Sequence, residues 1–183
     1  MPSLGHLAVG VAAGRLHAGS DGPRLRATAI VTALALFPDL DGVSVLLHLP
    51  RGSVWLHRGA THSLLAAALA ALAATALANR MGRPRWRMLA TAFAVAASHG
   101  LLDTLTRGAG GPMLLWPFST ARILSPVSLV PASPYLGRLF SPRWLDVLAR
   151  EALLFAPLLA YGLWPRRARR AEPGGELRSG AEQ

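Results

Sequence analysis

Gaps of strongly different character, two of them Arg-dense, divide this sequence into five apolar stretches, and that alternation narrows the fold to a stack of hydrophobic helices. The stretches run from about Leu4 to Gly14, Ala27 to Leu49, Ser63 to Asn79, Met88 to Leu105, and Glu151 to Trp164. A membrane span needs about 20 apolar residues, so the shorter stretches are expected to be half-spanning or packed inside the bundle. Composition favours the membrane: 52% of residues are hydrophobic and 15% charged, against roughly 25% charged in a soluble domain. The rival is a buried all-helical soluble domain, since much of the apolar content is Ala and the runs are short. The expected fold class is all-α: a polytopic helical membrane bundle of about four to five hydrophobic helices with a Pro-rich interfacial segment. Residues 1–165 form the membrane domain, and 166–183 a basic, then disordered, tail.

The gaps set an orientation. Arg15, Arg24 and Arg26 flank or occupy the first, the RMGRPRWR segment holds four Arg in eight residues, and the tail opens with RRARR. The positive-inside rule puts all three in the cytoplasm. Five spans then leave the N-terminus outside, the C-terminus inside, and Pro50–His62 and Thr106–Arg150 outside. Thr106–Arg150 holds six Pro, including Pro126, Pro131 and Pro142, so it is read as loops and short interfacial pieces. Trp116, Phe118, Tyr135 and Trp144 suit an aromatic belt there. Met1–Gly14 lacks the positive start of a signal peptide and is read as a retained helix. The net charge of +10 is Arg clustered in gaps and tail. It fits loops lying on anionic headgroups rather than a nucleic-acid stripe, so the expected partner is membrane lipid and no nucleic acid.

Chemistry is concentrated where ionisable groups meet apolar chain. Asp39, Asp41 and Asp103 lie in or at the end of apolar stretches, and His6, His48, His57, His62 and His99 lie in or beside them. A carboxylate at membrane depth costs about 2.5 to 3.5 kcal/mol even on a lenient scale, so it persists when paired, metal-bound or facing water. Cysteine is absent, so a metal would draw on His, carboxylate, backbone or water. His99 and Asp103 stand i, i+4, on one face of a helix, where both can bind one ion; a plain His–Asp hydrogen bond is the alternative. PDLD places Asp39 and Asp41 after a helix-breaking Pro38. If that segment is extended both point one way; if helical they diverge and one alone can be a direct ligand. Its alternative is a polar turn between short helices. On a regular helix His57 and His62 would stand about 140° apart, but a turn at Gly59 lets them converge. Thr61 or Ser63 is placed to cap the next helix. Arg58 is open to two roles, an anionic substrate or a carboxylate pair, beside that of interfacial anchor. The orientation above delivers all of these groups to one membrane face.

Five segments resemble a known family: GHLAVG with His6, LFPDLDGV, HRGATHSLL, SHGLLDTLT and LLWPFS, in order from Met1 to about Ser119. They are similar to the membrane-bound metal-dependent hydrolases, also described as LexA-binding and inner-membrane-associated. The resemblance implies a helical membrane protein with a divalent metal site and hydrolase activity. A looser likeness to zinc-dependent phospholipase C implies that Asp103 bridges two metals, with His6 on one side and Asp41, His62 and His99 on the other. No His follows Asp103, so one or two ions are carried over, not three.

The resulting expectation is metal-assisted hydrolysis of a phosphoester, lipid-like or a small molecule, at the outer face of the inner membrane. His6, Asp39, Asp41, His62, His99 and Asp103 are the expected ligands of one or two Zn2+ or Mn2+ ions. His57 or the spare PDLD carboxylate would act as base, and Arg58 would neutralise phosphate. The rivals are a metal or proton transporter, which also places ionisable groups in spans, and a non-catalytic scaffold whose basic tail binds a regulator or anionic lipid.

Overall fold

Small residues set how closely these helices pack. In the computed structural model, residues 4–18, 24–78, 85–107, 110–133 and 140–164 are described. Among them α1 (Leu4–Ala18) lies antiparallel on α2 (Arg24–Leu36). A Cβ at Gly10 would stand 2.7 Å from Thr32 Cα, and one at Gly14 2.6 Å from Thr28 Cα. That glycine pair, four apart, lets two backbones touch, as in membrane helix pairs. Helix α4 (Leu64–Ala78) packs on α5 (Arg85–Thr104) through buried Ala67, Ala71, Ala92 and Ala96, and Val31, Leu34 and Ala35 of α2 join Ala71 and Ala92 in one cluster. Alanine buries little area per residue, so cohesion here depends on close approach and many small dispersion contacts.

Five short elements shape the ends. Pro38 terminates α2, and the chain tightens into a 3-10 helix, Phe37–Gly42, before the short α3 (Val43–Leu46). Residues 50–62 form turns closed by a second 3-10 turn, Ala60–His62. Ser63 caps α4, its Oγ accepting from Ala66 N at 3.0 Å. The Pro-rich segment lies over this end: Met113 N donates to the Arg58 carbonyl and Leu64 N to that of Leu114, each at 3.0 Å. Two short parallel strands, β1 (Thr106–Arg107) and β2 (Val130–Pro131), tie it to α5.

The last helix departs from expectation. Helix α6 spans Pro142–Leu163, beginning nine residues before Glu151 and inside the stretch read as loop. Pro142 occupies the first turn, where its missing N–H costs nothing, and Ser141 Oγ caps it by accepting from Trp144 N at 3.2 Å. Helix α6 runs parallel to α1: Phe155 meets Gly5 near one end, and Val11 and Ala12 meet Gly162 near the other.

Starts of α1, α4 and α6 therefore share an end with the finishes of α2 and α5. One run, Leu25–Leu46, is long and apolar enough to cross a membrane among the described residues; the apolar run Leu64–Leu77 of α4 is shorter. The RRARR tail, Glu172–Gln183, Tyr135, most of the RMGRPRWR segment and part of the Leu16–Arg26 gap lie outside the described residues.

Candidate metal centre

Pro38 has a second consequence. By ending α2 it places the last turn of that helix against α5, where His99 Nδ1 donates to the Ala35 carbonyl at 2.6 Å. A carbonyl only accepts, so the proton is on Nδ1 and the Nε2 lone pair points away. It points at Asp39, whose Oδ1 is 3.4 Å away. A 3-10 helix advances about 120° per residue, so the two PDLD carboxylates diverge. Asp39 turns to His99 and His62, and Asp41 turns to the loop of residues 57–62.

Asp41 gathers that loop. Its Oδ1 accepts from His57 Nδ1 at 2.7 Å, and its Oδ2 from Arg58 N at 3.2 Å and from the Thr61 hydroxyl, with His62 Nδ1 at 3.1 Å. The turn at Gly59 brings the His57 and His62 rings to 5.4 Å between centroids. It is tight: a Cβ there would stand 2.0 Å from the Val54 carbonyl. Arg58 adopts φ +67, a left-handed conformation that a non-glycine residue keeps only when its contacts hold it there. Those contacts are Asp41 on its N–H, Met113 N on its carbonyl, and Asp103 Oδ1 on its guanidinium at 3.0 Å. Of the roles open to Arg58, the carboxylate pair is the one observed, and its burial rules out an interfacial anchor.

Four elements thus deliver their groups to one point. His6 stacks on His99 with centroids 3.7 Å apart and lies 3.6 Å, Nε2 to Oδ1, from Asp103. His62 Nε2 is 3.4 Å from Asp103 Oδ2 and 3.9 Å from Asp39 Oδ1. Gly100 makes this possible, because a Cβ on it would stand 2.5 Å from the His62 carbonyl. His48, by contrast, is exposed and outside the cluster.

Several of these separations are too long for hydrogen bonds, which fall near 2.7–3.2 Å. They match ligand-to-ligand spacing: two atoms each about 2.1 Å from an ion, at a tetrahedral angle, stand about 3.4 Å apart. His6 Nδ1 and Nε2, His62 Nε2 and His99 Nε2 are buried with no hydrogen-bond partner, a condition that calls for an explanation. His6, Asp39 and His99, His62, His99 and Asp103, and Asp39, His57 and His62 each bring three ligand atoms within 4.8 Å of one another. Among the described residues, three carboxylates and one guanidinium meet here, an excess of acidic groups that suits a cation. The electrostatics of His62 agree: burial disfavours its charged form, yet the Asp103 and Asp41 carboxylates outweigh that and raise its pKa. The mouth is at Asp39 and His57, whose side chains are 25% and 36% exposed.

Sequence reasoning missed the Ala35 carbonyl, since nothing local marks a backbone acceptor 64 positions from its donor. Thr61 was weighed only as a cap. Glu151 was read as the edge of an apolar stretch, but it is buried; its signal was an acid at helical spacing from Val147 and Phe155.

The chain matches the family described as YdjM inner membrane protein over residues 1–170. It is 34% identical over 153 residues to inner membrane protein YbcI of Escherichia coli (strain K12), covering 79% of this chain and 86% of that protein. No solved structure matches it significantly.

Proposed function

Because the chain belongs to the YdjM inner membrane protein family, we propose that it is a multi-pass protein of the inner membrane that hydrolyses a phosphoester with a bound divalent metal. The observation that carries this reading is the set of buried, unpartnered imidazole nitrogens held at ligand spacing from Asp39 and Asp103.

His6, His62, His99, Asp39 and Asp103 would hold one or two Zn2+ or Mn2+ ions. Asp41 would orient rather than ligate, because both its oxygens already serve donors from the 57–62 loop. A bound ion supplies Lewis acidity toward water and toward a phosphoryl oxygen. His57 is placed as base: with Nδ1 donating to Asp41, its Nε2 carries the lone pair at the open side of the site. Arg58 holds the Asp103 carboxylate in place and leaves phosphate to the ion and the mouth. Leu40 and Trp55, each one or two residues from a mouth residue, are exposed and apolar, which suits a lipid-like substrate.

With the Arg-rich segments in the cytoplasm, the site end faces outward. A transporter is less well supported, since α4 carries no ionisable residue to extend a path.

Detergent-purified protein should hold one or two ions per chain by elemental analysis, and His99→Ala and Asp103→Ala should lose them with hydrolysis of a model phosphodiester. Wild-type protein without stoichiometric metal overturns the proposal.

A further inference from the structure

Helix α6 supplies none of the groups above, yet it carries a fully buried acid. Glu151 is 0% exposed. Its Oε2 accepts from Gly5 N at 3.3 Å. Gly5 lies in the first turn of α1, where backbone N–H groups have no partner within the helix, and the positive end of the helix dipole favours a carboxylate there. Phe155, one turn along the same face of α6, packs on the same residue: a Cβ at Gly5 would stand 2.6 Å from its ring. Two side chains of α6 thus grip the residue directly before His6. His6 itself has no hydrogen bond from either ring nitrogen. Beyond its stacking on His99 and its 3.6 Å approach to Asp103, its position in the cluster follows from where the start of α1 is held.

The geometry points to Glu151 as the positioning residue for His6, so that the last helix completes a metal centre whose ligands all come from the first 103 residues. This rests on the metal reading above. Groups bonded directly to a ligand change metal affinity by about 10- to 100-fold when lost, and Glu151 acts one residue further back, through the Gly5 backbone.

The test uses full-length protein in detergent, titrated with Zn2+. Glu151→Met keeps the length of the side chain and removes the acceptor; Glu151→Gln keeps an acceptor for Gly5 N. Glu151→Met should weaken Zn2+ binding about 10-fold, the lower end of that range, and Glu151→Gln should recover most of it. In a His6→Ala background, Glu151→Met should add little, because both changes remove the same contribution. If Glu151→Met binds Zn2+ as wild type does, or weakens it equally with and without His6, the inference fails.

Two controls separate its failure from that of the metal reading. Hydrogen exchange of the metal-free protein should be faster at residues 4–8 in Glu151→Met, and unchanged exchange there overturns the inference whether or not metal binds. Wild type that binds no Zn2+, with exchange still altered, sinks the metal reading alone. If Glu151→Met does not fold, Gly5→Ala approaches the same grip from α1: it should weaken Zn2+ binding, and Phe155→Leu should restore it by making room. Gly5→Ala with wild-type affinity also overturns the inference.

Discussion

Imidazole has two nitrogens, and at each histidine of this cluster the question is which one is taken. His99 gives Nδ1 to the Ala35 carbonyl near the end of α2, and His57 gives Nδ1 to Asp41. Asp41 also holds His62 Nδ1 at 3.1 Å, and partners that fix ring orientation in this way would tune His62 and His99 as metal ligands. Asp41→Asn is therefore expected to weaken metal binding about 10- to 100-fold, whereas His99→Ala should abolish it; metal titration separates the two. Equal loss in both would make Asp41 a ligand. Arg58 poses a different question of charge. Arg58→Met removes the guanidinium that pairs with the buried Asp103 carboxylate, and breaking such a pair costs about 3–5 kcal/mol. Thermal melting of the metal-free protein should show that loss, and added Zn2+ should recover part of it.

At the scale of elements, approach distance governs. Histidine at 99 and aspartate at 103 share a face of α5 by helical spacing alone, but they reach His62 only because Gly100 carries no Cβ. Gly100→Ala would press a methyl against the His62 carbonyl and the Leu114 side chain, at 2.5 and 2.8 Å. Overpacking of this kind costs about 1–3 kcal/mol. Melting temperature and metal affinity should fall together, because the same contact seats His62. Helix α6 shows where element reading went astray. Pro142 was taken as a breaker, yet a proline in the first turn behind a serine cap starts a helix. The start of the last helix, and with it the setting of Glu151, was therefore hidden in the stretch read as loop.

Over the whole molecule, helix direction decides where chemistry can gather. Antiparallel α1 and α2, antiparallel α4 and α5, and α6 parallel to α1 put every site residue at one end. At the other end Arg15 donates to the Trp164 carbonyl and its guanidinium lies 5.0 Å from the Tyr161 ring centre. Exposed Leu69, Leu72, Leu153 and Leu158 line the outward faces of α4 and α6, as lipid contact would require. A reporter fused after Gln183 should be active in the cytoplasm and inactive in the periplasm. The opposite result would invert the orientation and put the site on the inner face.

Much of this protein is written locally. Apolar runs specify helices, Pro38 and Ser63 mark their ends, and the i, i+4 spacing of His99 and Asp103 pairs two groups on one face, because each depends on neighbours a few residues away. Which carboxylate meets which nitrogen is not local. That Asp39 turns toward His99 while Asp41 gathers the loop, that Arg58 serves Asp103, and that Glu151 reaches Gly5 across 146 positions all follow from helix rotation and close approach. Those are set by packing between segments far apart in the chain, and no short window of sequence contains both partners.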